Sequence, residues 1–216
     1  MVFSDFFFGS DRMVVSKYKM SFTTGGLLNN ESVKVAELYL ALKDWDLVRE
    51  QALAAGLMQT RMQSSSERVY REVSSRLKTL NQVELELLVA SIGTERLHLL
   101  WLAVCLRYSF IHEFAVEVLH ERFLTMRFEL VSEDFEIFFS NKAEWNRELD
   151  TITVNTRNKL RQNLFRMLRE AQFLSTENFI QPTSISAQLA SLISLRGFDP
   201  FSIFPTLQTE SQRRVP

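Results

Sequence analysis

The sequence predicts a mainly α-helical protein: two helical lobes carrying helix-turn-helix or winged-helix-like units, with one short β-hairpin as the only extended element. Three observations carry this. Only 6 Gly and 4 Pro punctuate 216 residues, alternation of strand type is nearly absent, and apolar residues recur three and four positions apart. With 46% hydrophobic residues the chain can bury one good core or two small ones. The domains are read as a loose leader 1–20, an N-terminal lobe 21–128, a C-terminal lobe 129–207 and a disordered tail 208–216.

Val35, Leu38, Tyr39 and Leu42 form the apolar stripe of a first helix starting near Ser32. A second helix starts after Asp44, a good N-cap, and stops at Gly56. After Ser64-Ser65-Ser66, Val69, Val73, Leu77 and Leu80 lie on one face of a third helix, with Arg68, Arg71, Ser75 and Lys78 on another. Three short helices, the last apolar inside and basic outside, outline a helix-turn-helix unit. From Asn81 to Met126 near-continuous apolar helices follow, broken at Gly93 and around Ser109, with Trp101, Phe110, Phe114, Val118 and Phe123 as core. Residues 129–150 turn acidic. A long basic helix is predicted over Thr153–Phe173, with Leu160, Leu164, Met167, Leu168 and Ala171 inward. Two extended pieces around Glu177-Asn178 and a helix capped at Ser184 or Ser186 and ended by Gly197 complete a winged-helix order. Trp45 and Trp145, each preceding a basic helix, hint at a duplicated plan.

The net charge of −1, from 25 Lys+Arg against 26 Asp+Glu, gives no global attraction to a polyanion, so a nucleic-acid site must come from local segregation of charge. Two faces offer it: Arg61, Arg68, Arg71 and Lys78, then Arg157, Lys159, Arg161 and Arg166. Arg and Lys at helical spacing can follow phosphates. The plain alternative for the first face is simple solvation. For the second it is pairing with the adjoining acidic segment. Gln63, Asn155, Asn158 and Gln162 are the base-contact candidates, and binding is expected to be mostly non-specific.

Enzyme classes fail on inventory, and no cofactor or metal is expected. His98, His112 and His120 lack the two-histidine spacing of a zinc helix. Gly25-Gly26 has no following Lys and Ser/Thr of a phosphate loop and reads as a turn before the first helix. Glu133, Asp134 and Glu136 fit the acidic start of a helix, and Phe135, Phe138, Phe139 and Trp145 read as core. Cys105, alone in an apolar run, excludes an internal disulfide and fits a reducing cytosol. The start lacks a signal-peptide pattern, Met13 and Met20 are alternative starts, and the apolar stretch 97–106 is far short of the ~20 residues of a membrane span. A cytoplasmic location is expected.

Several segments carry a resemblance: Ser21-Phe22-Thr23-Thr24-Gly25-Gly26-Leu27-Leu28, Glu31-Ser32 through Asp44-Trp45, and Thr60-Arg61 leading to Arg68 and Arg76-Leu77. Leu100-Trp101-Leu102-Ala103, Phe114 to Leu119 and Asn155 to Gln162 extend it. From about Ser21 to Leu207 the chain resembles the BrxA family of bacteriophage-exclusion (BREX) loci. The resemblance implies an all-helical protein comparable to the NusB antitermination fold, with helix-turn-helix-like lobes that bind double-stranded DNA. It also implies a multi-protein defence system with a DNA methyltransferase that blocks phage replication, and it transfers no catalytic motif. The rival expectations are a protein-interaction adaptor docking other BREX proteins, and an RNA binder in the NusB manner.

Overall fold

A computed structural model describes residues 18–207, apart from Arg61 and Phe198. The helices are α1 (Asn29–Leu42), α2 (Trp45–Ala54), α3 (Gln63–Leu77), α4 (Gln82–Ala90) and α5 (Gly93–Arg107). Next comes α6 (Ser109–Phe114), which a π-helical stretch (Ala115–His120) continues into α7 (Glu121–Leu124). The chain then forms α8 (Ser132–Ala143), α9 (Arg147–Asp150), α10 (Val154–Glu170) and α11 (Ala187–Ser194).

Caps explain several boundaries. Asp44 accepts the Asp46 and Leu47 N–H groups at the head of α2, and Asn81 and Glu84 cap α4 reciprocally. Thr153 and Ser186 cap α10 and α11. The first helix differs from expectation. It begins at Asn29, after a left-handed Leu28 (φ 57°), and Ser32 is buried in its first turn, donating its N–H to the Leu28 carbonyl. The backbone turn, not a serine side chain, sets its start.

Helices α1, α2 and α3 pack on one another, and α4 and α5 lie against α1. The connection between α2 and α3, residues 55–62, is longer than the roughly three or four residues of a tight helix-turn-helix turn. In the C-terminal half the expected hairpin forms: Leu174 pairs with Ile180 across a turn at left-handed Asn178 (φ 65°). A third piece, not read from the sequence, joins it. Glu129 pairs with Phe179, and the Ile180 N–H donates to the Phe128 carbonyl (2.7 Å).

The buried residues form one cluster from Phe22 to Phe204 that crosses the 128/129 boundary. Trp101 on α5 is fully buried, and its indole N–H donates to the Ile203 carbonyl (2.8 Å). Phe173 meets the Trp101 ring edge-on, and His98 packs against both Phe173 and Phe204. Of the aromatics read as core, Phe135, Phe138 and Phe139 are buried, whereas Trp145 is 84% exposed. Trp45 is half-buried and stacks on Tyr39, so the two tryptophans do not mark a duplicated packing plan.

Residues 1–17 of the expected leader and the tail 208–216 lie outside the described residues. Residues 18–20 belong to the fold. Tyr18 packs edge-on against Phe110, its hydroxyl donates to Glu113 and its N–H to Glu148. Among the described residues no single helix is long and apolar enough to cross a membrane. The apolar pair formed by α5 and the α6–α7 helix bends by 117°, and both halves supply the core.

Candidate nucleic-acid interface

The inner side of α3 is set by Tyr70, Val73 and Leu77, all buried. Helical periodicity therefore turns Arg68, Arg71 and Lys78 outward, and all three are exposed. Among the described residues, neither the Arg68 nor the Arg71 guanidinium forms an ion pair. Lys78 lies over the Trp45 ring at 5.2 Å, and Trp45 stacks in turn on Tyr39. Gln63 is exposed at the first position of α3. Arg61 lies outside the described residues.

Helix α10 buries Leu160, Leu164, Met167 and Leu168, and its remaining surface divides in two. On one flank Arg157 and Arg161 are turned to α8, both paired with Glu136 (2.5 and 2.7 Å). Arg157 also donates to the Glu136 carbonyl and to Ser140, and lies 4.2 Å over the Phe139 ring. For these two arginines the structure holds the pairing with the acidic segment in place of an outward basic face. On the other flank Lys159, Arg166 and Arg169 are exposed. Lys159 is unpaired among the described residues, Arg166 is 59% exposed and bonded to Glu170, and Arg169 donates to the Asn178 side chain at the hairpin tip. Asn155, Asn158 and Gln162 join Lys159 around one shallow hollow on this flank.

The segment 22–27 ties the two basic helices together. From α3, Arg76 is buried, paired with Glu72 (2.8 Å), and donates to the Gly26 carbonyl (2.7 Å). From α10, Glu170 accepts the Leu27 N–H (2.5 Å) and Asn163 donates to the Phe22 carbonyl (3.1 Å). A Cβ on Gly26 would overlap the Glu170 carboxylate, so any larger residue here must displace the side chain that holds the Leu27 N–H. From the sequence this glycine reads only as a turn residue. Tyr108 completes the buried network, donating to Glu72 (2.6 Å); burial first and the neighbouring carboxylate second push its phenol up to about 12.

Among the described residues no group of three or more His, Cys, Asp or Glu side chains is disposed to hold a metal. His98 is buried beside Thr183 (3.0 Å), and desolvation lowers its imidazole to about 4. His120 bonds to the Phe204 carbonyl (2.7 Å). Burial likewise pushes the Cys105 thiol well up, away from the reactive thiolate. Asp134 accepts the Val131 N–H at the head of α8 and pairs with Arg122.

The chain is 24% identical over 152 residues to the BREX protein BrxA of Escherichia coli O9:H4 (strain HS), covering 70% of this chain and 71% of that one. It is 27% identical over 165 residues to the BREX protein BrxA of Bacillus cereus (strain H3081.97), covering 74% and 80% respectively. In three dimensions it superposes on the crystal structure of an uncharacterized protein from Magnetospirillum magneticum with a TM-score of 0.69. That match has 19% identity and covers 84% of this chain and 94% of the other, which establishes a shared fold. The family model for BrxA matches residues 16–197, taking in Tyr18 at one end and α11 at the other; the chain belongs to the BrxA family.

Proposed function

We propose that this protein is a non-enzymatic component of a bacteriophage-exclusion (BREX) defence system that binds double-stranded DNA through the outer faces of α3 and α10. The observation that carries the reading is the pair Arg68 and Arg71, exposed one turn apart and without an ion-pair partner among the described residues. Unpaired guanidinium groups on a rigid helix meet phosphates without first breaking an internal ion pair. Lys78 extends the α3 face, and Lys159 and Arg169 are exposed on the α10 face, where Arg166 is paired with Glu170 but 59% exposed. The segment 22–27 keeps the two helices in a common frame through Arg76 and Glu170. The family membership supports the cellular setting, through relatives described as BREX proteins.

The test is a fluorescence-anisotropy titration with duplex DNA, duplex RNA and single-stranded RNA at two salt concentrations. Duplex-DNA binding that weakens steeply with salt is expected, because each neutralised phosphate releases counterions. Preference for single strands or hairpins would move the reading to an RNA binder. No affinity for any oligonucleotide at low salt would replace it with a protein adaptor, a class that the exposed Trp145 ring also suits.

A further inference from the structure

We infer that the N-terminal half of α10 reads base edges in the major groove, with Asn155, Asn158 and Gln162 recognising adenine and Lys159 recognising guanine. This deepens the DNA-binding reading above and rests on it.

Several of the chain's amides are engaged within the fold: Asn81 caps α4, Asn163 holds Phe22, Asn146 bonds to Lys142 and Asn178 to Arg169. Asn155, Asn158 and Gln162 differ. Their side chains have no hydrogen-bond partner among the described residues, and with Lys159 they line one open hollow. Spacings of three, four and seven residues align them on one helix face. The stretch from 155 to 162 rises about 10 Å along the helix, roughly three base steps of B-DNA.

The chemistry of this stripe is wrong for phosphates alone. A carboxamide carries one donor and one acceptor side by side, matching adenine N6 and N7, while an ammonium suits guanine O6 and N7. Arg157 and Arg161, which would make the helix a general polyanion binder, are withdrawn to Glu136. The phosphate-seeking groups sit beyond the stripe, Arg166 and Arg169 toward the C-terminal end, with Arg169 braced on Asn178 of the hairpin. A base-reading half and a backbone-gripping half thus follow one another on one rigid helix.

Selection from a randomised duplex library, followed by anisotropy on the selected and an unselected duplex, tests this. The full chain is expected to enrich a short adenine-containing motif. Asn158→Ala combined with Gln162→Ala is expected to abolish enrichment and weaken binding to the selected duplex by about 10- to 100-fold. Its melting temperature should stay unchanged, and the loss of affinity for the unselected duplex should be much smaller than that for the selected one. Duplex binding without enrichment, or enrichment that survives the double substitution, overturns the inference and leaves DNA binding standing. No duplex binding by the full chain overturns both.

Discussion

Trp101 and His98, one turn apart on α5, show how single side chains join distant parts of the chain. Trp101 is fully buried and bonded to Ile203, about half the sequence away. Trp101→Ala leaves both a cavity and an unpaired carbonyl and should cost roughly 3–5 kcal/mol in chemical denaturation. An unchanged midpoint would contradict its burial. His98 makes stability depend on pH. Its folded pKa, about 4, lies below the ordinary 6.5, so between these values the unfolded chain binds more protons. Above pH 6.5 the imidazole is neutral in both states and burying it carries no protonation penalty. As pH falls from 6.5 toward 4 the folded state loses about 3 kcal/mol through this group. Unfolding free energies of wild type and His98→Gln, measured across pH 4 to 7, should differ in slope over this window. Parallel curves would mean the imidazole is not desolvated.

At the scale of elements, α3 and α10 have similar basic compositions and different fates. Arg68 and Arg71 face solvent, while Arg157 and Arg161 are engaged by Glu136 of α8. Replacing Arg68 and Arg71 by Glu should reduce duplex affinity and lower the salt slope by about 2, one per lost phosphate contact, without changing the melting temperature. Arg157→Ala with Arg161→Ala should do the reverse, lowering thermal stability and leaving the salt slope intact. A salt slope that falls with the second pair and not the first would exchange the roles of the two helices. Helix boundaries were legible where a side-chain cap marks them, as at Asp44, and were narrowed to Ser184 or Ser186 for α11, which Ser186 caps. The start of α1 was not, because it rests on the left-handed backbone of Leu28.

For the whole molecule, the decisive feature is the continuity of the core. Phe173, Phe204 and Ile203 from the C-terminal half meet Trp101 and His98 from the N-terminal half. Arg196 reaches back to the fully buried Glu84 (2.6 Å), and Ser186 to Glu95 (2.5 Å). The protein should therefore unfold in one cooperative transition, with far-ultraviolet circular dichroism and tryptophan fluorescence coinciding. Two separated transitions would reveal lobes with independent cores.

Helical class, the apolar faces of α3 and α10 and the outward direction of the basic residues on α3 were already present in the sequence, because helical periodicity is a local property. The family was legible too, in segments such as Ser21 to Leu28 and Asn155 to Gln162, which lie within the matched residues. Only the tertiary structure decided which basic residues remain available. Charge pairing between Glu136 and two arginines more than 20 positions away, the seat of Glu170 against Gly26, and the exposure of Trp145 all depend on which surfaces packing brings together. A sequence specifies which way a side chain leaves its own helix, whereas what it meets there is set by the neighbouring element.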